Sequence, residues 1–523
     1  MTYKYGCVPP RRHRCCWPER LPRSRKAGGE STLGEAEPTV DAHRPWPDHG
    51  HHRLDDTVDT PSPQLLTVTL KVVKPTDPVP GGLGDPHSTG HVVGHLGTGP
   101  VADQGTVGGL FNLVKRNVGH PGTLRDSART GSGPTIGPMH DPTAHLPDGL
   151  ADELAACREP ADQAATLPAS CYVDPVVHRI EVDTVFRQGW VGVGRWDRWP
   201  GAGDYSAMDL AGVPVVVVRD GNGQLRAFAN SCSHRSAEIM AGEGTCSRMR
   251  CPFHAWTYAL DGRLVAAPSM NRTENFERAD HGLHEFAVAE RHGFAFVSLE
   301  EAPTTIDDWL GDFSEVHAPW PLADLVTTRR REFTVSCNWK GFAEVFNEYY
   351  HLPYVHSGSI DDTYNEPDNP EDVVGAWSTH FGTTVGTGGL LDADQHRALP
   401  VIDGLSGRAA LGVRYSWLFP NLVIATGAEG MWMYEVYPDG PDRCRCAQVV
   451  CFPPATVDRK DFAEAVEAYY ERFDVAIGED IPMLERQHRG MRSPFARQGR
   501  FSYLEPNVAR FADWYAGRLL SAG

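Results

Sequence analysis

Two short arms constrain this chain more than anything else in it: Cys232-Ser233-His234 and, after sixteen intervening residues, Cys251-Pro252-Phe253-His254. Each arm offers one thiolate and one imidazole, and each sits at the end of a predicted hairpin strand. Two such loops facing one another place both sulfurs on one iron and both imidazoles on the other iron of a [2Fe-2S] cluster. Replacing two anionic thiolates by neutral imidazoles raises the reduction potential, so such a cluster accepts electrons from a ferredoxin-like donor. A four-ligand zinc site competes, since zinc also takes two Cys and two His. Zinc fingers, however, usually pair Cys with Cys and His with His, and here the pairs are mixed. Cys246, the nearest spare thiol, reads as a bystander.

The rest of the sequence bounds what surrounds that site. With 523 residues, 41% hydrophobic and 22% charged, the chain has material for two or more domains. A net charge of −19 repels phosphate backbones, and no basic stripe with interleaved aromatics offsets it, so the expected partner is a small molecule and not nucleic acid. No run of eighteen apolar residues is present, which predicts no membrane-spanning helix, and the N-terminus lacks a secretory apolar core. A cytoplasmic protein is expected. The 12 Cys are irregularly placed, unlike a disulfide framework.

Residues 1–138 differ in kind from the remainder of the chain. Pro, Gly, His and Arg mix there without sustained periodicity, apart from a strand-like patch at 64–74, and such a stretch buries too little apolar surface to offset its chain entropy. It is expected to be a disordered extension, with Met139 as the candidate true initiator, and His49, His51 and His52 as a solvated tract. Natural peptides from before Met139 in mass spectra would remove the initiator idea.

From about Leu150 the pattern is globular. A helix runs into a strand over "DPVVHRIEVDTVFRQGWVGVGRW", and "PVVVVRDGNGQLRAFANSCSH" reads as a hairpin turning at Asp220-Gly221-Asn222-Gly223. A second hairpin turns at Asp261-Gly262. A small all-β domain is expected within 150–300, preceded by its helix, and an α+β domain over 301–523, in which strands such as "MWMYEVYP" are backed by the long amphipathic helix "RKDFAEAVEAYYERFDVAIGED".

The arms "NSCSHRSAEIMAGEG" and "CPFHAWTYALDGRL" resemble the two halves of the Rieske signature in ring-hydroxylating and related oxygenases, and the resemblance runs from about Tyr172 to the end. It implies that Cys232, His234, Cys251 and His254 hold the [2Fe-2S] cluster, and that the second domain has the helix-grip, START-like fold around a mononuclear Fe(II). Such an iron needs open positions for O₂, which two His and one carboxylate leave free. In "NWKGFAEVFNEYYHLPYVH", similar to the family's iron-binding stretch, His351 and His356 match the histidine ligands and Glu348 the carboxylate that bridges the iron to a cluster. Glu344, Glu348 and His351 are expected on one helical face, with the helix giving way at Pro353. Val345 departs from the Asn of many relatives. Asp480 is the expected third ligand: it continues the apolar face of Phe462, Val466, Tyr469, Phe473 and Ile477, where an unpaired acid carries a large desolvation cost. Glu479 or Asp474 are its substitutes, and an exposed helix-end acid near Pro482 is the bland alternative.

The resemblance implies O₂-dependent oxidation of a small substrate with electrons from a separate NAD(P)H-dependent reductase or ferredoxin, since no dinucleotide-binding Gly motif is present here. It also implies a homotrimer. The substrate stays open between an aromatic compound and a quaternary ammonium compound. Trp417, Phe419, Trp432, Tyr434 and Tyr437 are candidates for an apolar pocket or a cation cage. A Rieske electron carrier without oxygenase activity is the alternative function, and a zinc-binding interaction module is the remote third.

Overall fold

The computed structural model describes residues 145–521 except residue 370. The expectations for residues 1–138, among them the 64–74 patch and the His49, His51 and His52 tract, and for Met139 lie outside the described residues.

Both predicted hairpins form. Strands Val213–Arg219 and Leu225–Ala229 pair antiparallel, and the Asp220 carboxylate closes their turn by accepting from Asn222 N and Gln224 N at 2.8 and 3.0 Å. Their sheet has seven strands, in the order Trp190–Arg195, Phe294–Ser298, Glu285–Arg291, Leu225–Ala229, Val213–Arg219, Asp204–Leu210, Glu243–Thr245. The valine run alternates between two cores. Val215 and Val217 face one, while Val216 and Val218 join Phe228, Cys232, Met249, Cys251, Trp256 and Tyr258 in the other. A three-stranded sheet of Met249–Arg250, Thr257–Tyr258 and Leu264–Ala266 covers that second core. Gly262, at φ 83°, makes its turn, and a Cβ there would come within 2.5 Å of the Phe228 ring.

The second half builds a six-stranded antiparallel sheet in the order Val326–Val335, Cys444–Phe452, Met431–Pro438, Leu422–Thr426, Gly412–Leu418, Trp377–Thr383. Strands Met431–Pro438 and Leu422–Thr426 are buried throughout, which explains their near-continuous apolar runs. One face packs through Ile424, Met431 and Met433 against Trp190, Phe294 and Phe296 of the first sheet. The other carries Trp432 and Val450 against Phe462, Val466, Tyr469 and Phe473 of helix Phe462–Met491. The fold class is α+β, as expected.

Four details differ from the sequence expectation. The helices Leu150–Ala156 and Pro175–Glu181, expected with the first domain, share one core both with Val191, Val215 and Val297 of the first sheet and with Trp339, Phe511 and Tyr515 of the second half. Glu181 is fully buried and accepts from Trp339 Nε1 at 2.7 Å and Tyr515 Oη at 2.8 Å, and it pairs with Lys340 Nζ. Helix Trp339–Phe346 ends too early for the expected face: Asn347 caps it, so Glu348 and His351 lie in the loop beyond. Pro353 opens the short helix Leu352–Val355 instead of closing one. Finally, the long helix passes through Pro482 to Met491, so Asp480 is an interior residue and not a helix-end acid.

Candidate active site

The two cluster arms fold as copies of one turn. In the first, Ser236 N donates to Cys232 O at 2.8 Å and Cys232 N to Ala237 O at 2.9 Å; in the second, Ala255 N donates to Cys251 O at 3.1 Å and Cys251 N to Trp256 O at 2.8 Å. Each turn needs a left-handed residue at the same place, Ser236 at φ 56° and Ala255 at φ 57°. The result buries both Cys232 and Cys251 (3% and 2% exposed) and sets the rings of His234 and His254 edge to face with centroids 4.7 Å apart. Trp256 stacks on His234 at 4.8 Å and 8°. Tyr258 Oη lies 3.2 Å from Cys232 Sγ and accepts from Ser233 N at 3.1 Å. Burial and the neighbouring Cys232 hold its phenol above the ordinary tyrosine value. Two buried sulfurs behind two half-exposed imidazoles is the donor set that a [2Fe-2S] group with mixed ligation requires. Cys246 takes no part in these turns.

The second constellation lies under the six-stranded sheet's helical face. Asn338 caps helix Trp339–Phe346 by accepting from Lys340 N at 3.0 Å, and the loop after it delivers His351 and His356 to either end of helix Leu352–Val355. Their Nε2 atoms stand 3.1 Å apart. Asp480 Oδ1 lies 3.6 Å from the first and 3.2 Å from the second. Donors bound to one ion at about 2.1 Å and roughly 90–120° apart lie about 3.0–3.6 Å from one another, so this triangle fits a metal. The chemistry of the donors agrees. Asp480 is 8% exposed and its Oδ1 has no hydrogen-bond partner, an arrangement costly without a cation.

The remaining imidazole atoms are held by acids. His356 Nδ1 donates to Glu479 Oε2 at 2.8 Å, and Ser359 Oγ donates to the same oxygen at 2.9 Å. His351 Nδ1 bonds Glu348 Oε1, while Glu348 Oε2 accepts from the backbone N of His351 and of Tyr350. With each Nδ1 occupied as donor, each Nε2 lone pair is free to coordinate. Burial of His351 opposes its charged form, but Glu348 outweighs this and the ring sits above the ordinary histidine value. Glu344 points elsewhere. It accepts from Tyr172 Oη at 2.6 Å, and burial pushes its carboxyl up to about 7.

A small cavity of about 40 Å³ opens on the triad, lined among others by Phe346, Tyr349, Tyr415, Tyr434 and Arg472. Of the five aromatics expected there, only Tyr434 lines it. Trp417 and Phe419 pack under Phe511 and Trp514 of the C-terminal helix. Trp432 lies against Phe473, and Tyr437 donates to the Gly192 carbonyl at 3.0 Å. The apolar runs told of burial but not of which face each ring takes. Glu479 as an orienting acid, Tyr258 beside Cys232 and the buried Arg472 are additions from the structure; Arg472 had a signal in the sequence, being a charge on the stripe that pointed to Asp480.

Fold and both constellations together define a two-centre oxygenase architecture. The pattern described as "Rieske [2Fe-2S] domain" matches residues 189–277, and that described as "Ring hydroxylating alpha subunit (catalytic domain)" matches residues 322–521. Chloroplastic choline monooxygenase of Arabidopsis thaliana is 30% identical over 373 residues, covering 67% of this chain and 82% of the relative. The glycine betaine monooxygenase oxygenase subunit of Chromohalobacter salexigens is 28% identical, covering 73% and 91%. In fold, the chain is similar to the quaternary ammonium Rieske monooxygenase CntA (TM-score 0.59, 24% identity, 70% and 98% covered). It is likewise similar to naphthalene 1,2-dioxygenase from Rhodococcus sp. (TM-score 0.60, 20% identity, 72% and 99% covered). The chain belongs to the ring-hydroxylating alpha-subunit family of Rieske oxygenases. It is therefore an O₂-incorporating oxidoreductase, with a [2Fe-2S] cluster in its Rieske domain and a mononuclear iron in its catalytic domain. It works with a reductase or ferredoxin on a small substrate. The electron-carrier and zinc-module alternatives leave the catalytic domain unexplained. Among the described residues no helix is long and apolar enough to cross a membrane.

Proposed function

We propose that this chain is the oxygenase component acting on a small quaternary ammonium compound. Cys232, His234, Cys251 and His254 hold the cluster in this reading, and His351, His356 and Asp480 hold Fe(II). The observation that carries it is the meeting of two imidazoles and an otherwise unpartnered carboxylate at the floor of an aromatic-lined cavity. The ring faces of Phe346, Tyr349, Tyr415 and Tyr434 suit an alkylated cation, and both named relatives act on choline or glycine betaine.

The iron supplies O₂ activation when bound. The chain's own residues do the rest: the aromatic walls hold the cation and exclude water, Glu479 fixes the His356 ring, and Glu348, whose side chain keeps 11% exposure, fixes the His351 ring. Glu348 is thereby the bridging acid toward a cluster. That cluster is a neighbour's if the chain forms a homotrimer, a state supported by exposed apolar groups at both centres: Phe253 at the cluster tip (54% exposed) and Tyr354 beside the iron loop (76%). We divide the described chain into a Rieske domain near 187–300 and a catalytic domain from about 301, with the preceding helices packed against both. The free thiols of the described cysteines suit the cytoplasm.

The test is O₂ uptake coupled to product, with a generic reductase, across choline, glycine betaine, carnitine and naphthalene. Oxidation of a quaternary ammonium compound is expected, abolished in His351→Ala with the cluster spectrum intact. Turnover of naphthalene alone, or undiminished turnover in His351→Ala, would overturn the proposal.

A further inference from the structure

A second buried charge shares the face of the long helix that carries Asp480. Arg472, Ala476 and Asp480 follow one another at four-residue intervals, so they stand in a row. At 1.5 Å per residue, Arg472 is about 12 Å from Asp480 along the axis. All three line the cavity that opens on His351 and His356. Ala476, the residue between them, carries only a methyl.

The guanidinium of Arg472 has only neutral company. The residue is 5% exposed. Its Nη2 donates to Tyr364 Oη at 2.9 Å, its Cζ lies 5.2 Å over the Trp432 ring and 5.3 Å over the Phe473 ring, and its Nε has no hydrogen-bond partner. Among the described residues no carboxylate pairs with it. The acids that share its cavity are engaged elsewhere, Glu348 with His351 and the adjacent backbone, Asp480 with the two imidazoles. Arginine cannot shed its proton to escape burial. A desolvated charge without a counter-ion is costly, and aromatic faces return only part of that cost. Arg472 also lines the cavity that holds the triad, and the donor fork of a guanidinium is the geometry that takes a carboxylate.

We propose that Arg472 is an anion-binding subsite of the substrate cavity, so that the substrate is an ammonium carboxylate, a betaine-type zwitterion, and not an amino alcohol or a hydrocarbon. The carboxylate rests on Arg472 and the alkylated nitrogen lies over Ala476 toward His351, His356 and Asp480. This rests on the quaternary ammonium reading above and narrows it. It also gives the aromatic walls and the guanidinium separate tasks, one for each charge of the ligand.

Anaerobic calorimetric titration of the holoenzyme with glycine betaine, γ-butyrobetaine and choline tests it. At least one carboxylated compound is expected to bind about tenfold or more tighter than choline. Arg472→Gln is expected to remove that advantage, leaving choline affinity within about twofold, with Arg472→Lys recovering part of it. Equal binding of choline and both betaines by the wild type overturns the proposal even should the variants fail to fold. So does an equal loss for all three compounds in Arg472→Gln with its cluster spectrum and far-UV circular dichroism unchanged, and so does absence of binding by any of them. Failure of the oxygenase reading looks different: no cluster absorption, and no O₂ uptake with any compound.

Discussion

Replacing Glu479 by Ala separates the acid that orients the His356 ring from the acid proposed to be a metal ligand. Adjacent residues on a helix project about 100° apart, and here Glu479 reaches His356 Nδ1 at 2.8 Å while Asp480 turns Oδ1 toward both Nε2 atoms. Neither can take the other's place. Loss of an orienting carboxylate typically costs about 10–100-fold in metal affinity, or roughly 1.4–2.8 kcal/mol. The Glu479 side chain is 33% exposed and Ser359 Oγ shares the same oxygen, so solvent screening puts the expected loss at the lower end, about tenfold. Asp480→Ala removes an anion from the triangle itself and is expected to leave no retained mononuclear iron. The assay is iron content per chain after dialysis against graded chelator, with acid-labile sulfide as the internal measure of an intact cluster. Retention of mononuclear iron by Asp480→Ala and its complete loss from Glu479→Ala, with sulfide unchanged in both, would refute the assignment.

Three other outcomes come from the same structure. Lys340→Met strands the buried Glu181, whose carboxyl burial alone would raise but which Lys340 and His178 hold at about 2; a loss of about 3–5 kcal/mol is expected in urea denaturation, much of it recovered by adding Glu181→Gln, and no recovery would contradict the pairing. Burial raises Glu344 to about 7 from 4.5, so the folded protein binds the extra proton between those values. Its contribution is full below about pH 4.5 and is lost as pH rises through about 7; Glu344→Gln should flatten that part of the stability profile, and an unchanged slope would reject the role. Tyr258→Phe deletes a hydroxyl 3.2 Å from Cys232 Sγ. A hydrogen bond there worth about 1–2 kcal/mol corresponds to a cluster potential lowered by roughly 45–90 mV, and a potential unmoved in redox titration would mean the contact has no electronic effect.

Much of the site was legible because its residues answer to local rules. The two arms differ by one residue between Cys and His, yet they fold alike because each sets its left-handed residue, Ser236 or Ala255, at the same distance from its Cys. The turn glycines and Asp220 announced both hairpins, and the apolar spacing of Phe462, Val466, Tyr469, Phe473 and Ile477 put Asp480 on the buried face it occupies. What failed depended on tertiary packing. Helical phase predicted Glu344, Glu348 and His351 together, but Asn347 ends the helix and the acid at 344 turns to Tyr172. Strands buried on both faces carry no alternation, so the sequence could not say which aromatics reach the cavity; Trp417 faces Phe511 and Tyr434 faces the site. Pro482 suggested a helix end, yet packing carries the helix to Met491. Arg472 obeys the same logic as Asp480, a charge set on an apolar stripe.

Iron and acid-labile sulfide, counted on anaerobically reconstituted protein, reach the central claim most directly. Two centres on one chain require about three irons and about two sulfides per chain, with little zinc. Colourless protein without labile sulfide, or stoichiometric zinc in place of iron, would contradict it.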